Sequence, residues 1–286
     1  MAADRSVRFF ITDTTDIAEE ARRLHQLSPT AAAALGRVLT GASIMGRMLK
    51  SEQDRLTFQV KGDGPLGTLL AVSDATGNVK GYVGHPGADV PPKDNGKLDV
   101  GTAVGKEGEM IIIKDFGLKE PFIGQVGLIS GEIAEDLAAY FMYSEQSPSI
   151  VSLGVYIGPD GRVERAGGLV IQPMPFADDS VIDQLEDLAA AMPPMTDLLA
   201  GAESMEALIA IALAGFDTEI TERVETAYVC DCTREKFENG LMMLGTSEIA
   251  EMIEEDGKAD VHCHFCNKNY HFTQEDLVKI LEWIEA

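Results

Sequence analysis

Two short stretches near the end of the chain decide how it is read: Cys230-Asp231-Cys232 and Cys263-His264-Phe265-Cys266. They hold the only four cysteines of the 286-residue chain. Two close pairs of thiols suit one tetrahedral zinc ion bound by four thiolates. The second pair has the common C-x-x-C spacing and runs into Asn267-Lys268-Asn269, the turn of a knuckle. The first pair is tighter, so its loop must curl for both side chains to reach one ion. Asp231 adds negative charge nearby and is not expected to be a ligand. A closed shell of four sulfurs leaves no position for a substrate, which argues against metal-centred hydrolysis. His262, His264 and His271 keep a site of three cysteines and one histidine open. Four unliganded thiols in a small core are the plain alternative.

The residues around the cysteines read as a compact module. Thr233 caps a helix over Arg234–Leu244, with Phe237, Leu241 and Leu244 on its inner face. Gly245 stops it. Thr246 or Ser247 starts a second helix with Ile249, Met252 and Ile253 inward, and Gly257 ends that one. Val261 and Phe265 flank the second cysteine pair, and Tyr270 with Phe272 adds a short strand. Thr273 and Asp276 form a capping-box-like entry to a last helix, where Leu277, Ile280, Leu281 and Ile284 recur at helical spacing. Such a module, about 60 residues long, is too small to rest on apolar burial alone. Metal binding, worth ~10–16 kcal/mol in simple zinc peptides, should supply much of its folding free energy. Zinc needs thiolates, and thiolates are what oxidants attack. A zinc-bound reduced state and a zinc-free, oxidised, partly unfolded state are the expected ends of a switch.

Working back toward the start, the composition changes. Positions 171–220 hold ten acidic residues and no Lys or Arg. Ser180–Ala191 and Ser204–Ala214 read as helices, one striped by Val181, Leu185 and Leu188, the other by Met205, Leu208, Ile209 and Ala212. Pro193-Pro194 and Gly201 interrupt them. Helices without opposite-sign partners of their own must gain stability by docking on a neighbour. The segment is either an ordinary helical subdomain or a conditionally stable linker that exposes apolar surface when its anchor is removed.

From Met1 to about Ile171 the chain alternates strand and helix signals. Val7–Ile11 reads as a strand and Asp16–Leu27 as a helix entered at Thr14 and Thr15. Ser28-Pro29 sets a cap and first-turn proline for a long helix to about Lys50, with Leu35, Leu39, Ala42, Ile44, Met45 and Met48 on its buried stripe. Gly36, Gly41 and Gly46 weaken that helix unless they permit close packing. Leu56–Val60, Leu69–Val72, Val79–Val83, Met110–Lys114 and Phe122–Leu128 read as strands. Ser130 is expected to cap a helix to about Ser144, and Ile150–Ile157 with Val163–Ile171 forms a hairpin about Gly158-Pro159-Asp160-Gly161. The fold class is α+β: a largely antiparallel N-terminal sheet with packed helices (1–175), a helical acidic linker (176–228) and a small C-terminal zinc-binding α/β module (229–286).

The whole chain carries a formal net charge of -24, which argues against holding nucleic acid or an anionic membrane by phosphate neutralisation. Met1–Arg8 lacks the apolar run of a signal peptide, and no stretch is long and apolar enough to span a membrane. A cytoplasmic protein is expected. Gly62-Asp63-Gly64-Pro65-Leu66-Gly67 matches G-x-G-x-x-G literally. The next residues are β-like and Pro65 removes a donor, so a hairpin turn is read there. No Walker A, G-x-S-x-G or H-E-x-x-H occurs. His25 reads as a helix C-terminal cap, and His85 lies in a Gly- and Pro-rich loop.

At the cysteine module the sequence resembles the heat-shock protein 33 family of redox-regulated holdase chaperones. The resemblance is carried by Cys230-Asp231-Cys232, Leu244-Gly245, Glu255-Asp256-Gly257, Cys263-His264-Phe265-Cys266-Asn267 and Tyr270-His271-Phe272. Farther forward it includes His25-Gln26-Leu27-Ser28-Pro29, Leu35-Gly36-Arg37, Gly62–Gly67, Lys80-Gly81-Tyr82-Val83 and Gly167-Gly168-Leu169-Val170-Ile171-Gln172, so it covers essentially the whole chain. It implies that Cys230, Cys232, Cys263 and Cys266 hold one zinc ion in a reduced, inactive form. It also implies that oxidation forms Cys230–Cys232 and Cys263–Cys266 disulfides, and that the C-terminal module then loses zinc and unfolds. The linker, about Ala177–Arg223, is destabilised with it. The oxidised protein would bind unfolding client proteins without ATP and dimerise. The client surface expected from resemblance and composition includes Met174, Val181, Leu185, Met192, Met195, Met205, Leu208 and Ile209; core packing is the plain alternative for each. Spacing alone does not favour the Cys230–Cys232 bond, whose small ring should be strained. A zinc-containing binding module without redox control, or a thiol oxidoreductase using Cys263 and Cys266, would be the competing readings; the family implies a chaperone, not an enzyme.

Overall fold

The computed structural model describes residues 1–175 and 177–285. Phe176, the first residue of the expected linker, and Ala286, the last residue of the expected C-terminal module, lie outside the described residues. The chain forms two compact units, Met1–Val229 and Cys230–Ala286.

The larger unit is built around one buried helix. α1 (Thr15–His25) leads into α2 (Pro29–Gly46), where Ser28 caps the first turn by accepting from the Ala31 N–H at 3.1 Å. From Thr30 onward every residue of α2 except Arg37 is buried. A five-stranded antiparallel sheet has the order β4-β3-β2-β5-β6, from β2 (Arg55–Gly62), β3 (Thr68–Asp74), β4 (Val79–Val83), β5 (Gly108–Asp115) and β6 (Phe122–Gly127). A three-stranded antiparallel sheet is ordered β1-β8-β7, from β1 (Val7–Asp13), β7 (Ile150–Ile157) and β8 (Val163–Pro173). Two glycines explain how α2 fits between them. A β-carbon at Gly41 would stand 2.9 Å from Phe58 of β2, and one at Gly36 would stand 2.8 Å from Val155 of β7. Close approach outweighs the helix propensity these residues cost.

Alternation in the strands follows burial. Leu56, Phe58 and Val60 are fully buried, as their spacing predicts. The G-x-G-x-x-G segment is the β2–β3 turn. Its Gly64 N–H donates to Val104 O at 2.9 Å, against the short α3 (Val100–Val104) that the sequence did not signal. α1 is entered at Thr14 and Thr15 as expected, with the Thr14 hydroxyl meeting Thr40 in the core at 2.6 Å and Asp13 accepting the Thr15 N–H. Two expectations are corrected. α2 ends at Gly46 rather than near Lys50. Ser130 does not cap α4 (Ala134–Tyr143); the buried Asp136 carboxylate accepts from Ile129 N, Ser130 N and Ile133 N at 2.7–3.0 Å.

β8 is apolar on both faces because both are covered. One face meets α2. The other, with Leu169, Ile171 and Val7, carries α5 (Asp179–Ala191), α6 (Met195–Gly201) and α7 (Met205–Ala212). The acidic helices, which lack opposite-sign pairs of their own, are therefore docked on a sheet. Their anchors are Leu185, Met195, Leu198, Leu208, Ile209, Ala212 and Leu213.

In the smaller unit, α8 (Arg234–Met242), α9 (Thr246–Glu255), the antiparallel hairpin β9 (Lys258–His262) and β10 (Asn269–Thr273), and α10 (Gln274–Glu285) enclose their own cluster. Leu241, Ile249, Phe272, Leu277 and Ile280 form its buried centre. Leu244, expected inward, is 48% exposed because α8 has ended before it. Thr273 and Asp276 make the reciprocal cap expected of them: Thr273 N donates to Asp276 Oδ2 at 2.9 Å and Asp276 N to Thr273 Oγ1 at 3.3 Å.

Candidate metal centre

Thr233 ends the first cysteine loop by capping α8, its hydroxyl accepting from the Lys236 N–H at 3.2 Å. Cys263 and Cys266 stand in the turn between β9 and β10. There the Cys263 N–H donates to Lys268 O at 2.9 Å and the Asn267 N–H donates to Cys263 O at 2.8 Å. The turn requires a left-handed residue at position 267, φ 58°, and asparagine tolerates that conformation better than most. This is the physical reason for asparagine directly after C-x-x-C.

These loops bring Cys230, Cys232, Cys263 and Cys266 together, with all four sulfurs within 4.8 Å of one another. Cys230 Sγ lies 3.7 Å from Cys263 Sγ, and Cys232 Sγ lies 3.4 Å from Cys266 Sγ. A tetrahedron of sulfurs about 2.3 Å from a zinc ion has edges of about 3.8 Å. The donor set and its dimensions fit one such ion. No disulfide joins the four cysteines, and the two C-terminal ones are buried.

The histidines are turned to other work. His262 bonds Asn269 Oδ1 at 2.7 Å and Asn267 Oδ1 at 3.1 Å, and His271 Nδ1 meets Asp260 at 2.6 Å. Neither these two nor His264 belongs to the ligand cluster found among the described residues. Asp231 pairs with Lys236.

Two contacts were not legible in advance. The Tyr270 hydroxyl lies 3.2 Å from Cys232 Sγ and 3.1 Å from the Cys232 carbonyl, while its ring stacks 4.7 Å from Phe237. Arg234 reaches His271 O at 2.7 Å and Asp276 at 2.9 Å, with its guanidinium 4.3 Å above the Phe272 ring. Both join the sulfur cluster's supports to the apolar centre. Burial pushes the Cys230 and Cys266 thiols above their ordinary pKa. Burial acts on Cys232 too, but the Tyr270 hydroxyl and the neighbouring sulfurs outweigh it and bring it down to about 7. The hydrogen bond to Cys232 raises Tyr270 to about 12.

The expected client residues lie in the larger unit. Leu185, Met195, Leu208 and Ile209 are buried against the three-stranded sheet, and Val181, Met192 and Met205 lean on that cluster. Met174 is half-buried at the end of β8, its N–H donating to Ser6 O at 2.8 Å, outside the cluster. No helix among the described residues is long and apolar enough to cross a membrane.

A two-unit chain whose small unit is organised around four clustered thiols, and whose large unit buries an acidic helical segment on a sheet, belongs to the class of thiol-controlled metal-binding proteins. The Hsp33 protein family model matches residues 1–273. The chain is 47% identical over 281 residues to the 33 kDa chaperonin of Alkaliphilus metalliredigens, covering 98% of this chain and 96% of that one. It is also 47% identical over 276 residues to the 33 kDa chaperonin of Clostridioides difficile, covering 96% and 94%. The crystal structure of a 33 kDa chaperonin (heat shock protein 33 homolog) from Thermotoga maritima superposes with a TM-score of 0.88 at 39% identity, covering 98% of this chain and 95% of that one. The chain belongs to the Hsp33 family, and with its four-thiol centre it is a redox-regulated zinc chaperone.

Proposed function

We propose that the chain works as three parts: a sheet core (1–175), an acidic helical linker (176–228) and a thiol switch (229–286). The observation that carries this reading is the burial of the linker's apolar stripe on β1 and β8. In this form the expected client surface is occupied by the protein itself. Zinc, bound by Cys230, Cys232, Cys263 and Cys266, neutralises their thiolate charge and staples a unit whose own core is small.

Oxidation by a peroxide turns each pair of thiols into a disulfide. For each pair of thiolates one O–O bond breaks, one S–S bond forms, two electrons pass to the peroxide, and two protons taken from solvent complete two waters. The pairs are Cys230–Cys232 and Cys263–Cys266. This pairing is the one that the resemblance to the family implies. The C-terminal unit then unfolds and the linker leaves its sheet. Both halves of the former contact become available to unfolding clients: Val181, Leu185, Met192, Met195, Met205, Leu208 and Ile209 on the linker, with Met174 at its base, and Leu169 and Ile171 on the sheet. Methionines adapt to varied partners, and the acidic background keeps the exposed surface soluble. The oxidised form dimerises and acts in the cytoplasm, holding clients without ATP.

Light scattering of a thermally unfolding client, without ATP, tests this. Peroxide-treated protein that has lost zinc should suppress aggregation while the reduced, zinc-loaded form does not. Equal suppression by both forms would remove the switch.

A further inference from the structure

The last residues before the thiol centre are clipped to the outer edge of β4. The Val79 N–H donates to Ala227 O at 3.0 Å, and the Val229 N–H donates to Val79 O at 2.8 Å. Asn78 Oδ1 accepts the Ala227 N–H at 2.9 Å. This is a single parallel bridge, Val79 to Tyr228, and a lone bridge is marginal by itself. The Tyr228 side chain supplies the rest. Its hydroxyl donates to Gly81 O at 2.7 Å, accepts from Gly81 N at 3.2 Å and stands 3.2 Å from His25 Nε2. The single phenolic proton goes to Gly81, so His25 is the donor to Tyr228. Val79 and Gly81 thus have their outward peptide groups satisfied, the first by backbone and the second by a phenol. The Tyr228 ring also rests on the main core. Position 81 admits no side chain: a β-carbon would stand 2.6 Å from Leu70 O and 2.9 Å from Leu39 Cδ2.

We infer that Tyr228 is the latch between the thiol centre and the linker: a positioning residue, two places before Cys230, whose release from Gly81 frees the linker once the C-terminal unit has unfolded. This rests on the linker-release reading above. While the latch is closed, disorder beginning at Cys230 stops at Val229. When it opens, the Gly81 N–H and C=O lose their partner, which makes opening the slow step after zinc loss.

The test uses the full chain with Tyr228→Phe, which keeps the ring and removes the hydroxyl. Zinc release and client holding are followed together after a fixed dose of peroxide. The expected result is a lag between the two shortened roughly tenfold, as for the loss of about 1.4 kcal/mol, with the rate of zinc release unchanged. In reduced, zinc-loaded protein, amide exchange at Gly81 and Val229 should rise by a similar factor. Tyr228→Ala, which also removes the ring, should hold client under mild heat while still zinc-loaded. An unchanged lag in Tyr228→Phe, or zinc release and holding accelerated by the same factor, would overturn the latch. A wild-type protein that holds no client after oxidation would instead strike the holdase reading, and amide exchange would still decide the latch.

Discussion

Met195 sits directly on Gly154: a β-carbon added at that glycine would stand 2.9 Å from the Met195 Cβ and 3.0 Å from the Thr196 nitrogen. The first residue of α6 is thus seated in a gap left by β7. Gly154→Ala should push α6 off the sheet and weaken linker docking by about 1–3 kcal/mol, the usual cost of overpacking. Reduced, zinc-loaded Gly154→Ala protein should begin to hold client several degrees below the wild type. Client light scattering against temperature checks this.

Loss of one ligand should unmake the smaller unit. Cys263→Ser removes a buried sulfur from the cluster, and metal binding is worth on the order of 10 kcal/mol to such modules. The variant should show no exchange protection in α8–α10 while the five-stranded sheet stays protected. A strong chelator should do the same to the wild type, with circular dichroism reporting the lost helix.

Tyr270→Phe should keep the stack on Phe237 and lose the hydroxyl that faces Cys232. Groups that orient metal ligands typically contribute 10–100-fold to affinity. Competition with a chelating dye should show zinc affinity reduced by about tenfold, with the fold of the zinc-loaded variant intact.

Acid should act on the larger unit through Glu132. Burial pushes this carboxyl up, but Lys93 and Arg37, at 2.5 and 2.6 Å, outweigh it and hold its pKa below the ordinary value. A carboxylate lowered in this way stabilises the fold above its unfolded value, about 4.3, and loses that contribution as pH falls through the folded value. Glu132→Gln should therefore cost roughly 1 kcal/mol at neutral pH and flatten the decline of stability below about pH 4.3. Urea midpoints across that range measure it.

The sequence showed the four sulfurs because cysteine is rare here and its spacing maps directly onto metal geometry. It showed the Thr273–Asp276 cap and the Ser28-Pro29 entry because those contacts are local. It did not show that Asp136 replaces Ser130 at α4, since a buried carboxylate can gather N–H groups from a loop that no pattern marks. Gly36 and Gly41 looked like weak points of α2; only their distant neighbours Val155 and Phe58 reveal why glycine is required. Tyr270 and Arg234 escaped for the same reason, as their partners lie across the hairpin or on another helix. The apolar stripes of α5 and α7 were legible, but α6, set between Pro194 and Gly201, was not, nor was the sheet that covers all three, because β8 offers no alternation when both its faces are buried.

Oxidation at four cysteines should free helices that lie buried in the other unit, well before those cysteines in the chain. Hydrogen exchange with mass spectrometry on α5–α7, before and after peroxide treatment at a heat-shock temperature, tests it most directly. Asp179–Ala212 should be protected while zinc is bound and lose that protection when zinc is released, with α2 and β2 unchanged. Helices that stay protected after all four thiols are oxidised would contradict it.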